Sequence, residues 1–143
     1  MKIYLDVCCF NRPFDDQSNL RVHLESEAVK TILSLCEPGE WQLLNSEVIE
    51  FEIANTPDED QRTPLELMTA TATTVLPLTD ELVARAEVFE TAGLTVFDAM
   101  HLACAESHAE IFLTVDDKFL KKARSLTRLD VNNPLKWLEE VLP

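Results

Sequence analysis

Short apolar runs alternating with longer helical stretches constrain this chain more than any other feature. Residues 2–5, leading on into Val7 and Cys8, read as a first buried strand. Residues 41–44, 73–76 and 111–115 and a brief run at 130–131 read as four more. Helical spacing covers 20–36, from Ser46 to about 55, 64–71, from Thr79 to Gly93, 96–108, 118–125 and 134–142. Pro38-Gly39 stops the first of these helices. Ser46 and Thr79 are good N-caps, and Gly93 suits a left-handed C′ position. Residues 11–17, with Pro13 and two acids, read as a loop, as does the polar stretch 56–61. Strand, helix and strand in succession predict an α/β fold, a parallel sheet covered by helices on both faces. The 143 residues and 16.2 kDa suit one domain spanning 1–143, and 46% hydrophobic residues suffice for its core. In such folds ligands sit at the carboxyl ends of the strands.

Composition removes several function classes. Only two glycines, Gly39 and Gly93, are present, so there is no Gly-rich phosphate loop or dinucleotide fingerprint. Cys8, Cys9, Cys36 and Cys104 form no C-x-x-C pair and fit reduced thiols in a cytoplasmic protein. Asp6 interrupts the first apolar run, which argues against a secretory leader, and no run approaches the roughly 20 residues of a membrane span. Twelve Lys and Arg against 26 Asp and Glu give a net charge of −14. Spread evenly, that charge repels nucleic acid and anionic lipid alike. Most of these acids read as a solubility surface; those at unusual positions are candidates to converge on a metal.

Asp6 follows the first strand, at the sheet edge where ligands bind. A phosphotransfer D-x-D site is excluded because Cys8 stands where the second acid belongs. In the helix after Ser46, a turn of about 100° per residue sets Val48, Ile49, Phe51 and Ile53 on one side. Glu52 falls among them, whereas Glu47 and Glu50 fall opposite. An inward, unpaired Glu52 either shifts its pKa or finds a cation, from an arginine or a metal. Asp98 lies in a ten-residue apolar stretch, 96–105, whose only other polar side chain is His101. Thr95-x-x-Asp98 also fits a capping box, and a histidine one turn from an acid is ordinarily just hydrogen-bonded. Of Asp116 and Asp117, one should cap the next helix and the other stand free at the strand end. Carboxylates without a Cys or His shell are hard oxygen donors suited to Mg²⁺ or Mn²⁺. Phosphodiester hydrolysis is the natural chemistry of such a cluster.

Tyr4-Leu-Asp6, Ser46-x5-Glu52, Phe97-Asp98-Ala-Met-His101-Leu-Ala and Leu113-Thr-Val-Asp116-Asp-Lys-Phe119, in that order, resemble the PIN domain family. Within it they resemble the VapC-like toxin ribonucleases of bacterial toxin–antitoxin pairs. The resemblance spans essentially the whole chain and selects Asp116 over Asp117. It implies a three-layer α/β/α fold with a five-stranded parallel sheet. It also implies Mg²⁺- or Mn²⁺-dependent cleavage of RNA, with Asp6, Glu52, Asp98 and Asp116 as metal ligands, a homodimer, and a small antitoxin partner. Residues 11–17 fall outside the family pattern, and a charge of −14 is unusual for a protein that cuts RNA. Lys118, Lys121, Lys122, Arg124 and Arg128 offer a local answer, as a basic segment beside Asp116 able to hold a phosphate backbone. They also fit a solvated helix face. A catalytically weak binding or dimerisation module is the alternative reading, as is a metal-dependent nuclease or phosphatase with another substrate.

Overall fold

The computed structural model describes residues 1–143. Five strands, β1 (Lys2–Leu5), β2 (Gln42–Ser46), β3 (Thr74–Leu76), β4 (Ile111–Leu113) and β5 (Asp130–Asn132), form one sheet in the order β3-β2-β1-β4-β5. Every pairing is parallel. The helices are α1 (Val7–Asn11), α2 (Leu20–Cys36), α3 (Glu47–Ala54), α4 (Glu59–Thr69), α5 (Asp80–Thr91), α6 (Val96–His108), α7 (Asp117–Leu126) and α8 (Pro134–Val141). The expected three-layer α/β/α architecture is therefore present.

From β1 the chain steps outward through β2 to β3, then returns past β1 to β4 and β5. The direction of winding thus reverses between β1 and β4, which makes their carboxyl ends a natural crevice. Right-handed crossovers also put α2 on the face opposite α5, α6 and α7. Tyr4 identifies the second face. Its ring lies 5.5 Å from that of Phe112, which lies 5.5 Å from that of Phe119 on α7. Ile3 and Leu5 alternate to the other side, and all three β1 side chains are fully buried. α8 returns to pack on α2, and Trp137 lies against Trp41.

Three local expectations change. Val7 and Cys8 do not extend β1. The Asp6 amide makes the last bond to the neighbouring strand, on Leu113 O, and the Cys9 amide then turns back onto Asp6 O. Val7, Cys9 and Phe10 are buried from α1 instead, an outcome a short apolar run cannot reveal by itself. Much of 11–17 is ordered structure, with Asn11 ending α1 and a 3₁₀ turn over Arg12–Phe14. α4 begins at Glu59, capped by Asp58, so Pro64 lies inside the helix rather than at its start.

Gly93 leaves α5 at φ +112 and leads directly into Leu94 and the cap of α6. Nothing lies within 4 Å of where its Cβ would be, so the cost of a side chain there is purely one of backbone conformation. Gly93→Ala should lose about 1–2 kcal/mol. Thermal melts should show a fall of about 3–8 °C, and an unchanged melting temperature would refute the left-handed turn.

Candidate active site

Asp6 stands at the carboxyl end of the central strand and is only 6% exposed. It occupies the N-cap position of α1, yet its side chain does not cap. Oδ2 instead accepts from the Thr114 hydroxyl at 2.8 Å and the Cys8 thiol at 3.2 Å. Burial raises the carboxyl's pKa; the bonds from Thr114 and Cys8 oppose the rise, and the charge of Glu52 adds to it. Thr114 also accepts from the Asp116 amide at 3.1 Å, so one hydroxyl joins the ends of β1 and β4.

Asp116 is the N-cap of α7, with Oδ1 accepting from the Phe119 amide at 3.0 Å. The expected division of labour between the two neighbouring acids is therefore different. The capping residue is also the one that faces the cluster. Asp117 is not free: it takes two bonds from Arg21, at 2.8 and 2.7 Å, which hold its carboxyl below the ordinary range.

Asp98 is the third residue of α6. Its amide donates to the Thr95 hydroxyl at 3.3 Å, but the reciprocal bond of a capping box, from the Thr95 amide to the Asp98 carboxylate, is not made. The half-buried carboxyl has its pKa raised to about 6, first by burial and then by Asp6, with Asp116 adding and Thr95 opposing. Asp98 and Asp116 line one narrow cleft of about 150 Å³, together with Lys118 and Lys122.

Glu52 turns inward from α3 and is half-buried, while Glu47 and Glu50 are exposed. Phe51, expected on the apolar side, lies at its margin, 59% exposed and stacked on Phe97. The partner of Glu52 is neither an arginine nor a free cation but His101, whose Nε2 lies 3.0 Å from Oε1. His101 is fully buried, and its Nδ1 lies 2.8 Å from the Tyr4 hydroxyl, itself 2.8 Å from Ser46 Oγ. These partners were missed in the sequence, although Tyr4, Ser46, His101 and Thr114 all stand within the motifs that carry the acids.

Four carboxylates from β1, α3, α6 and the β4–α7 junction thus share one electrostatic neighbourhood. They are not drawn together into a coordination shell: no three acid, His or Cys side chains are grouped closely enough to hold an ion as they stand. The donor set nevertheless suits a hard divalent cation. Asp6, Glu52 and Asp116 each commit one carboxylate oxygen to the protein and leave the other free.

The family model described as PIN domain matches residues 3–125, from β1 through most of α7. The chain belongs to the PIN domain family. All four carboxylates lie within the matched span. Among solved structures, this PIN domain is similar to a chain of FitAcB from Neisseria gonorrhoeae, with TM-score 0.61, 18% identity, and coverage of 92% of this chain and 97% of that one. It is similar to a chain of FitAB bound to an IR36 DNA fragment, with TM-score 0.59, 21% identity, and coverage of 93% and 95%. It is also similar to a chain of VapBC2 from Rickettsia felis bound to a DNA fragment from their promoter, with TM-score 0.60, 10% identity, and coverage of 93% and 98%. At such identities the likeness is one of fold. No curated protein matches in sequence.

The basic segment of this PIN domain divides in two. Lys118 and Lys122 line the acidic cleft, and Lys122 Nζ donates to Gly93 O at 3.2 Å. Lys121 is exposed on the same helix. Arg124 instead donates to Val131 O at 2.8 Å, which fastens α7 to β5. Arg128 lies just before β5, by a larger hollow of about 730 Å³ at the amino edge of the sheet. A helix that rises about 1.5 Å per residue carries its end away from the carboxyl edge. Size therefore does not select the site; the convergence of acids does.

Residues 11–17 are tied down beside this edge. Arg12 donates to buried Glu25 at 3.1 and 2.7 Å and to Asp15 at 3.1 Å. Glu25 also takes bonds from Arg21, at 3.3 Å, and from Asn133. Arg21 passes the linkage to Asp117, next to Asp116.

A carboxyl that titrates near 6 when folded, and near 3.8 when unfolded, binds more protons in the folded state between those values. Its contribution to stability is therefore greatest at low pH, falls as pH rises from about 4 to about 6, and is flat above. Asp98→Asn should abolish that fall. In EDTA, the variant's melting temperature relative to wild type should climb across this window. A difference independent of pH would mean that Asp98 serves only as a helix-cap residue.

Proposed function

We propose that this PIN domain is a metal-dependent endoribonuclease, with Asp6, Glu52, Asp98 and Asp116 as ligands for Mg²⁺ or Mn²⁺. The observation that supports the reading is that these acids, each on a different element, share one electrostatic neighbourhood about the β1–β4 crevice, and that Asp6, Glu52 and Asp116 each keep one carboxylate oxygen free. A bound divalent cation supplies charge stabilisation at a phosphoryl oxygen and a more acidic water. The protein's part is to hold the carboxylates in place. Thr114 orients Asp6, and the α7 cap orients Asp116. Lys118 and Lys122 stand where they can meet the phosphate backbone without reading sequence. Lys121, exposed on the same helix, extends that basic surface, whereas Arg124 and Arg128, expected to share it, stand by β5 and the amino edge of the sheet.

The biological role we propose is the toxin of a toxin–antitoxin pair in the cytoplasm, held in check by a small antitoxin protein. The assemblies FitAB and VapBC2, captured on DNA, support a protein partner of this kind. Exposed Phe51 and Val96, beside Phe97, offer apolar surface for a homodimer. No helix is long and apolar enough to cross a membrane. The net charge of −14 favours a second reading, a binding module of little catalytic power.

Cleavage of single-stranded RNA with Mn²⁺, and its arrest by EDTA, separates the two readings. Single-stranded DNA and a phosphomonoester serve as competing substrates. Asp6→Asn, Glu52→Gln, Asp98→Asn and Asp116→Asn should each lose RNA cleavage by about a hundredfold or more, with double variants little worse than single ones. Glu47→Gln and Glu50→Gln should stay close to wild type. An inactive Glu50→Gln beside a fully active Glu52→Gln would sink the assignment.

Neutralising Lys118 and Lys122 together should weaken RNA binding alike for all sequences. The log–log salt slope should flatten by about one unit per lost phosphate contact. An unchanged slope would place the RNA elsewhere.

A further inference from the structure

Behind Glu52 runs a buried line of hydrogen bonds whose direction can be worked out. The Ile49 amide donates to Ser46 Oγ at 3.0 Å, capping α3. Ser46 Oγ and the Tyr4 hydroxyl are 2.8 Å apart, as are the Tyr4 hydroxyl and His101 Nδ1. Nε2 of His101 reaches Glu52 Oε1 at 3.0 Å. Ser46, Tyr4 and His101 are fully buried, so no solvent can correct a mismatch.

Only one assignment uses every donor and acceptor. A carboxylate accepts only, so Nε2 carries a proton and donates it to Glu52. In a neutral imidazole Nδ1 then accepts, and the phenol of Tyr4 donates to it. The phenol oxygen accepts from the Ser46 hydroxyl, whose own oxygen accepts from the Ile49 amide. An imidazolium would reverse the Tyr4 bond. The phenol would then donate to Ser46, leaving the buried Ser46 proton without a partner.

We propose that His101 is a positioning residue for Glu52, held as the neutral Nε2–H tautomer by Ser46 and Tyr4. In that role it fixes Oε1 as an acceptor and leaves Oε2 as the oxygen Glu52 offers to a cation. The proposal rests on the reading of the site as a divalent-metal centre. Three of the four motifs are then bifunctional. Tyr4 stands two residues before Asp6, Ser46 caps the helix that carries Glu52, and His101 is one turn beyond Asp98. A histidine that orients a metal-binding carboxylate from behind belongs to the outer partners whose loss costs about 10–100-fold in metal affinity.

Two measurements on the full chain test this without RNA. Nitrogen-15 NMR of the imidazole in EDTA at neutral pH should show His101 Nε2 protonated and Nδ1 bare, a pattern that Tyr4→Phe should disturb. Calorimetric titration with Mn²⁺ alone should show binding weakened about 10–100-fold in Tyr4→Phe and His101→Leu. In a Glu52→Gln background, His101→Leu should add little, because the histidine acts through Glu52. Should His101→Leu fail to fold, Tyr4→Phe, which removes one oxygen, still decides the matter. A wild-type imidazole protonated on Nδ1 would overturn the proposal, as would Tyr4→Phe with unchanged Mn²⁺ affinity. A His101→Leu effect undiminished in the Glu52→Gln background would also overturn it. Wild-type protein that binds no Mn²⁺ would overturn the metal reading and this proposal together. Wild-type protein that binds Mn²⁺ but leaves RNA intact would remove the ribonuclease reading and spare the positioning role.

Discussion

A carboxylate buried at the end of the central strand is the constraint on which the site depends. Asp6 is almost wholly removed from water, and an ionised group there is unfavourable unless hydrogen bonds or a cation compensate it. Thr114 and Cys8 supply two bonds to one oxygen. Thr114 can do so only because the Asp6 amide has already locked β1 to β4 through Leu113 O. The ladder that builds the sheet thus delivers the hydroxyl to the acid. The same hydroxyl then meets the Asp116 amide, so two of the four acids are placed by a single pairing of strands.

The other two acids are placed by packing against Tyr4. Its ring rests on Phe112, and its hydroxyl meets both the start of α3 and the buried face of α6. Glu52 and Asp98 are thereby referred to the same strand as Asp6. Polar atoms in a dry core are costly when unpaired, which makes this arrangement specific as well as stabilising. Burial first, and then the charge of Asp6, raises the pKa of Asp98, so the folded state holds this carboxylate ionised only at a cost. The acidic cluster is therefore a part of the molecule that opposes folding at neutral pH.

Charge is distributed more unevenly than a total of −14 suggests. Arg12 and Arg21 are committed to Glu25, Asp15 and Asp117, and Arg85 to Glu106. Arg124 is committed to the backbone of β5. Lysines, not arginines, remain at the acidic cleft. The network around buried Glu25 gives residues 11–17 a structural task, fastening the turn after Asp6 to α2 and, through Arg21, to the start of α7.

Much of this was legible in the sequence because it depends on local chemistry. Ser46, Thr79 and Gly93 mark helix ends through bonds and torsions made within a few residues. The helix angle alone turned Glu52 inward and left Glu47 and Glu50 in water. Alternating strands and helices determined a parallel sheet, hence a carboxyl edge with acids along it. What only the tertiary structure decided was which groups meet. Val7 and Cys8 could continue a strand or start a helix, and the bond from the Cys9 amide to Asp6 O settled that. Asp116 and Asp117 are chemically identical, and Arg21, 96 residues away, claims one of them. His101 was an ordinary histidine until Tyr4, 97 residues earlier, and Glu52, 49 residues earlier, came within hydrogen-bonding distance. Periodicity and caps are short-range and can be read along the chain, whereas the partners of buried polar groups are chosen by the packing of elements remote in sequence.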